Sequence, residues 1–379
     1  GVRFKTVHAA KRAGGKRSYV YLPDTRARML RLELGEASAV AALRLQPFEF
    51  SRSIHAFWHA VADAEKRGWH PRWLHNQQSL WTPFGRSNGT QCGLMNADGM
   101  VEVGQGSFSV EPMLWIEGSL ITWAEVMPRQ ELQDGWMPVP TVIWESAQWR
   151  LSIEAEATVS GATRVRYRFE NLAHRPIAAR LFVLVRPFQV TPPWQSFRSL
   201  GGVSRIFDLQ WRDGAVLVND ATLIVPAAAL GFAAMRFDDG FMASRLEGGT
   251  LPDITQTHDP FGFATGALAF DASVDAGQRV EHVLTGMPGT ATVSTPVSMA
   301  PAGMPGTATA GTTAAGRAIA STATSSMAAA VGAARVAGEP AFDWGTRVRA
   351  GQWDGPGWAT QAIQAALTAT AHILVTSRE

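Results

Sequence analysis

The stretch that decides the fold is LFVLVRPFQVTPPWQSFRSLGG, residues 181–202. Residues 181–185 form a continuous apolar run, which is typical of a buried strand, and a Pro-Pro pair makes a rigid break after it. The strand and its loop present planar and hydrogen-bonding side chains, namely Arg186, Gln189, Trp194, Gln195 and Arg198. Such groups bind sugars, but an indole at the edge of a sandwich core is an equally good interpretation of Trp194.

Short strand-like runs continue on both sides of this stretch, between residues 69 and 285. Turn dipeptides such as Glu117-Gly118 and Asp213-Gly214 separate them. Many strands and few helices over this length predict a mainly β fold, a large two-sheet supersandwich. The runs include 106–111, 113–116, 119–126, 141–144, 149–157, 163–170, 177–185, 216–218, 222–225, 267–270 and 279–284.

A connecting helix is predicted within residues 51–68, ahead of the sandwich. Apolar residues follow helical spacing from Ser53, a suitable N-cap, to a stop at Gly68. His55 and His59 stand four residues apart on this helix, a spacing that can chelate a metal ion. No obvious third ligand adjoins them in the sequence, so no metal site is predicted.

The first fifty residues contain three strand-like pieces, at 18–22, 27–34 and 41–48. The second alternates apolar and charged residues, the pattern of a strand with one wet face. Three strands make a poor independent domain, so residues 1–50 are predicted to be the end of another β-sandwich.

The C-terminal part of the chain changes composition twice. Residues 286–338 are Ala, Thr, Ser, Gly, Met and Pro with little charge, and GMPGTAT occurs at 286–292 and at 303–309. This composition predicts a low-complexity linker. Residues 339–379 regain tryptophan and include an amphipathic segment at 359–375, which predicts a C-terminal helix at the start of a helical domain.

Composition excludes several classes of function. The 379 residues carry a net charge of +2 with both signs mixed along the chain, so no basic face for nucleic acid is expected. Cys92 is the sole cysteine, which excludes an intrachain disulfide and a thiolate metal site.

No apolar run is long enough to span a membrane. No nucleotide-binding, nucleophile-elbow or zinc-protease motif occurs in the sequence, so no cofactor is predicted. The oligomeric state is left open.

Two groups of segments resemble a known family. Residues 19–34, YVYLPDTRARMLRLEL, and 43–53, LRLQPFEFSRS, resemble the closing strands of a discoidin-like (coagulation factor 5/8 type C) jelly roll. Five further segments resemble the supersandwich of bacterial discoidin-containing proteins related to six-hairpin glycosidases: GSFSVEP (106–112), ITWAEV (121–126), DGWMPVPTVIW (134–144), VRYRFENLAHRPIAARLFVLVRPFQVTPPWQ (165–195) and THDPFGFATGALAFD (257–271).

The resemblance implies a galactose-mutarotase-like supersandwich followed by a helical barrel. In that family the barrel carries the catalytic acid and base, and WATQAIQAALTATAHILVTSRE (358–379) resembles its first helix. We therefore expect the catalytic segments to lie outside this chain. Within the sandwich no carboxylate sits in a motif that specifies acid or base, and none is assigned among Glu111, Glu125, Glu131, Asp134 and Glu145.

The candidate binding residues come from two loops. The segment GWHPRWLHNQQSLW (68–81) mixes aromatic and amide side chains, and stacking combined with amide hydrogen bonds recognises neutral polyols. Its tryptophans would also serve to pack the connecting helix onto the sandwich. A His-Asp pair, His258-Asp259, adjoins a rigid turn and is better explained as turn stabilisation. The predicted substrate-binding residues are Trp73, Gln77, Trp81, Arg186, Gln189, Trp194 and Gln195.

The sequence predicts the carbohydrate-binding and scaffold β portion of a bacterial carbohydrate-active enzyme of the six-hairpin type. Its expected partner is a polysaccharide or oligosaccharide, and export to the periplasm or exterior is favoured. The reaction of the whole enzyme, hydrolysis or phosphorolysis, stays open. One alternative is a non-enzymatic glycan-binding or adhesion protein, and another is a degraded gene product.

Overall fold

A computed structural model describes residues 4–9, 17–21, 27–35, 40–86, 92–195, 200–219, 222–287 and 338–344. Within these ranges the chain forms the helices α1 (Ile54–Ala64) and α2 (Met242–Leu246) and seventeen strands. The strands are β1 (Trp81–Gly85), β2 (Cys92–Asn96), β3 (Val101–Glu102), β4 (Ser109–Ile116), β5 (Ser119–Ile121), β6 (Arg129–Leu132), β7 (Pro140–Glu145), β8 (Trp149–Ala157), β9 (Thr163–Asn171), β10 (Ala179–Arg186), β11 (Asp208–Arg212), β12 (Ala215–Val218), β13 (Thr222–Pro226), β14 (Gly231–Met235), β15 (Gln256–His258), β16 (Thr265–Asp271) and β17 (Arg279–Met287).

The strands form two large antiparallel sheets. The eight-stranded sheet has the order β1-β2-β3-β4-β10-β16-β14, with β5 paired to β4. The nine-stranded sheet has the order β15-β11-β12-β13-β17-β9-β8-β7-β6. The mainly β, two-sheet sandwich predicted from the sequence is therefore confirmed.

Strand β10 occupies a central position in the eight-stranded sheet, and both of its faces are buried. Leu181, Val183 and Val185 lie in the core between the two sheets. Phe182 and Leu184 point to the opposite face, where they pack with α2. Burial on both faces explains why its sequence is a continuous apolar run instead of an alternating one.

Helix α1 begins where the sequence predicts, because the Ser53 hydroxyl accepts a hydrogen bond from the backbone N–H of Ala56 at 3.1 Å. Its buried stripe includes Phe57, Trp58 and Val61, which join an aromatic cluster at one end of the sandwich. The predicted connecting helix is confirmed, although it ends at Ala64, before Gly68.

The structure corrects the prediction for the N-terminal segment. No strand is assigned to the described residues between 4 and 47, so the strands predicted at 18–22, 27–34 and 41–48 are not formed there. Leu30, Leu32 and Leu34 are each about half exposed. An alternating pattern suits a strand, but a strand also needs a neighbour to pair with, and the described chain offers none here. Membership of a discoidin-like sandwich stays a prediction.

The C-terminal predictions lie mostly outside the described residues. These are the linker beyond Met287 and the helix at 359–375. The described residues 338–344 return to the sandwich, where Trp344 is buried and donates from Nε1 to the carbonyl of Gly85 at 2.9 Å. Among the described residues, no helix has the length and apolar character needed to cross a membrane.

Candidate functional site

The loop after β10 folds back on itself as a narrow hairpin. The N–H of Gln189 donates to the carbonyl of Gly202, and the N–H of Gly202 donates to the carbonyl of Thr191, both at 2.8 Å. The Gln189 side chain is buried, and its Oε1 accepts the N–H of Gly201 at 2.6 Å. The loop is thus held by its own backbone and by one amide.

A buried carboxyl forms hydrogen bonds with the backbone at the start of this hairpin. Glu102, on β3, accepts the N–H of Val190 at 3.0 Å and the N–H of Gly106 at 2.6 Å. Burial raises the pKa of Glu102 to about 8, against the opposing effect of these backbone hydrogen bonds. The residue therefore joins the β3–β4 turn to the hairpin.

Trp194 follows the Pro-Pro pair on the first arm of the hairpin, and 53% of its surface is exposed. Its ring stacks on that of His59, with centroids 5.6 Å apart and planes 25° apart. The ring of Trp73 contacts it at 6.1 Å and 77°. An indole supported on one side by two rings offers a flat, preoriented surface to solvent.

His59 has a defined role in this arrangement. Its Nδ1 lies 2.8 Å from the carbonyl of Leu74. A carbonyl only accepts hydrogen bonds, so Nδ1 carries the proton and Nε2 is an acceptor when the ring is neutral. The sequence indicates His59 only as a candidate metal ligand, since nothing in a helical His predicts that it supports an indole 135 residues away.

Trp73 lies beneath the exposed indole and is fully buried. Its Nε1 donates to the carbonyl of Gln189 at 3.2 Å, and its ring meets Phe188 nearly edge-on. Trp73 thus supports the hairpin and has no surface open to solvent.

Arg186 is also buried, at the end of β10. Its guanidinium donates to Glu111 Oε2 at 2.5 Å and to the carbonyl of Trp69. Burial raises the pKa of Glu111, and the neighbouring guanidinium acts in the opposite direction. The pair connects β10 to β4 inside the protein.

The remaining predicted site residues are partly exposed. Gln77 Oε1 accepts from Arg67 at 3.1 Å and from Arg72 at 3.3 Å. Trp81 begins β1 and packs at the margin of the aromatic cluster. Gln195 follows the exposed indole, and its Oε1 is buried without a hydrogen-bond partner among the described residues.

The structure therefore brings Trp73 and Trp194 together beside His59, with the backbone of Gln189 bonded to Trp73 and with Gln195 next in the chain. It places Arg186 in a buried ion pair and Gln77 in a hydrogen-bonded group with two arginines. No group of three possible metal ligands occurs in the described part of the chain. The rings of His55 and His59 instead bond the backbone of Val203 and Leu74.

Four of the five carboxylates considered for catalysis have structural partners, and these include the ion pairs of Glu111 with Arg186 and of Glu145 with Arg150. Glu125 accepts the N–H of Thr122 at 2.8 Å, and Glu131 pairs with Arg129 at 2.7 Å. Asp259 is buried and accepts the N–H groups of Phe237 and Phe261, each at 2.8 Å. Turn stabilisation by Asp259 is confirmed. His258 pairs instead with Asp208 on the neighbouring strand, at 2.7 Å.

A groove of about 240 Å³ lies on the outer face of the nine-stranded sheet. Its lining includes Glu154, Arg166 and Arg168. Both guanidiniums already pair with carboxylates, at 3.2 Å from Arg166 to Glu281 and 2.8 Å from Arg168 to Glu281. No aromatic residue lines the groove. The exposed indole is therefore the better candidate for sugar contact, although it lies outside this concavity.

Comparisons with known proteins do not assign the chain to a family. No protein-family model matches the chain, and no curated protein matches it. Among solved structures it is similar to a putative kojibiose phosphorylase from human microbiome, with 8% sequence identity and a TM-score of 0.30. The similarity covers 54% of this chain and 29% of that one, so the chain spans less than a third of that protein's length. A similarity of this size carries no argument about function.

Proposed function

We propose that this chain is the carbohydrate-binding β portion of a carbohydrate-active enzyme, whose catalytic groups lie in another segment. The observation that carries the proposal is the half-exposed Trp194, stacked on His59 and contacted from beneath by Trp73. A flat indole face matches the C–H face of a pyranose, and its supports remove most of the entropy cost of ordering it.

The groups beside the indole suit a neutral sugar. His59 Nε2 is an acceptor in the neutral ring, and the Gln195 amide follows the exposed indole in the chain. Hydrogen bonds from an amide and an imidazole would orient hydroxyl groups without requiring charge. A net charge of +2 over 379 residues is consistent with an uncharged glycan.

The assignment to a six-hairpin type enzyme is supported by the sequence resemblance of residues 165–195 to its supersandwich. It leaves hydrolysis and phosphorolysis as alternatives for the whole enzyme. A non-enzymatic glycan-binding protein would use the same indole, so binding alone does not separate the two. Under either alternative this chain should bind glycans without releasing sugar.

The test is calorimetric titration of the chain with neutral oligosaccharides of several linkages. We expect Trp194→Ala to weaken binding by roughly tenfold or more, since aromatic stacking contributes about 1–3 kcal/mol. Trp194→Phe should retain part of the affinity. Phe48→Ala is the matched control, because Phe48 is an exposed aromatic outside this hairpin.

Two results would contradict the proposal. One is unchanged affinity in Trp194→Ala, which would separate the indole from ligand contact. The other is release of reducing sugar by the pure chain, which would place catalytic groups within it.

A further inference from the structure

A small cavity of about 20 Å³ lies within the aromatic cluster, between α1, the end of β10 and α2. It has room for a single water-sized particle. Its lining is mostly aromatic, but four of its residues carry nitrogen: Trp58, Trp69, His70 and Arg186.

These four residues share an uncommon property. Trp58 Nε1, Trp69 Nε1, Arg186 Nε and both ring nitrogens of His70 are buried and have no hydrogen-bond partner among the described residues. Buried polar groups are nearly always paired, so several unpaired nitrogens on residues that line one cavity point to a common partner within it. Trp58, His70 and Arg186 are all at least nine-tenths buried.

The guanidinium of Arg186 shows why one side of it remains available. One of its terminal nitrogens donates to Glu111 and the other to the carbonyl of Trp69. Its Nε is the guanidinium nitrogen that has no hydrogen-bond partner among the described residues. Both terminal nitrogens of Arg186 are thus hydrogen-bonded, and its Nε has no partner within the described part of the chain.

The hydrogen-bonding character of the cavity is dominated by donors. Indole nitrogens and a guanidinium Nε donate and cannot accept. Burial lowers the pKa of His70 well below its ordinary value, with Arg186 and His75 acting in the same direction, so its ring is neutral and has one N–H and one bare nitrogen. The set therefore offers four N–H donors and one acceptor.

We propose that this cavity binds a single halide ion, chloride under ordinary conditions. A water molecule accepts about two hydrogen bonds and would leave two of the four donors unpaired, whereas a spherical anion accepts from all of them and leaves only the bare nitrogen of His70 unpaired. The guanidinium charge, shared with Glu111, partly offsets the charge of the halide. The bound ion would connect α1, the segment at 69–70 and β10, and this site is separate from the proposed sugar surface.

The first test is crystallography of the unaltered full chain in bromide, with anomalous scattering recorded at the bromine edge. We expect an anomalous peak within hydrogen-bonding distance of Trp58 Nε1 and Arg186 Nε. A cavity that holds only water in bromide would overturn the proposal.

The second test is chloride-35 NMR line broadening, titrated to give the chloride dissociation constant in solution. Trp58→Phe removes one N–H and keeps an aromatic ring, and we expect it to weaken chloride binding about tenfold or more. Trp144→Phe is the matched control, because the indole of Trp144 is buried, already donates to the carbonyl of Asp98 at 3.0 Å and does not line the cavity. Equal chloride affinity in the unaltered chain and in folded Trp58→Phe would refute the proposal.

Discussion

Glu102 shows how one buried residue can govern the stability of the loop that carries the proposed site. Its carboxyl bonds the backbone of Val190 and Gly106, two segments far apart in the sequence. The pKa of this carboxyl is raised to about 8, from an ordinary value of 4.5, because burial disfavours its charged form more than the hydrogen bonds favour it. The stability of the hairpin therefore depends on whether the Glu102 carboxyl is protonated.

The pH dependence follows from the sign of this shift. Between pH 4.5 and about 8 the folded chain retains a proton that the unfolded chain has released. The contribution of Glu102 to the free energy of unfolding is thus fully present below pH 4.5 and is lost as the pH rises through about 8. We expect Glu102→Gln to flatten this decline in denaturant unfolding measured from acid to mildly alkaline pH. Glu131→Gln, at an exposed carboxylate, is the control, and an identical decline in Glu102→Gln would contradict the assignment.

His59 illustrates the limit of prediction at the residue scale. Its position on an amphipathic helix could be predicted from the apolar spacing, and Trp194 could be predicted as a loop indole. Their stacking could not, because the helix and the hairpin meet only through the packing of the sandwich. The same holds for Trp73, a buried support that its sequence context does not distinguish from an exposed binding residue.

At the scale of the element, β4 and β10 form a pair in the middle of the eight-stranded sheet. Their register places Leu184 opposite Glu111 and Arg186 opposite Ser109. Glu111 and Arg186 are thus diagonal neighbours, and the ion pair between them is buried. Removing one partner from such a pair leaves an uncompensated charge.

We expect Arg186→Met to lower the free energy of unfolding by about 3–5 kcal/mol, the usual cost of breaking a buried pair. The double variant Glu111→Leu/Arg186→Met should lose less than the sum of the two single variants, because it leaves no orphaned charge. Denaturant unfolding of all four proteins measures this coupling. A parallel cycle on the exposed pair Arg175 and Glu117 should give a much smaller coupling, and additive losses at the buried pair would count against this account.

At the scale of the whole molecule, the sandwich is closed by a segment from the far end of the chain. Ala341 bridges to Thr158, and Trp344 is buried with Met137 and Val139. The indole also donates to the carbonyl of Gly85. Residues on both sides of the predicted linker therefore belong to one packed body.

Trp344→Ala should lower the free energy of unfolding by about 3–5 kcal/mol, because it removes a large buried side chain and leaves a cavity. Trp194→Ala provides a contrast in the same measurement, since an indole that is 53% exposed should cost far less to remove. Thermal or denaturant unfolding of both variants makes the comparison. A loss in Trp194→Ala as large as that in Trp344→Ala would identify Trp194 as core and remove the basis of the proposed sugar surface.

The sequence by itself determined the mainly β class, the two-sheet sandwich and the connecting helix with its Ser53 cap. These follow from local information, since strand alternation, turn dipeptides and capping residues act over a few neighbouring positions. Local alternation failed at residues 27–34, where a strand pattern has no partner strand among the described residues. Only the tertiary structure decided that Trp194 is exposed, that Arg186 is buried and that four nitrogen-bearing side chains line one cavity. Those outcomes depend on contacts between segments distant in the chain, and local sequence patterns do not predict such contacts.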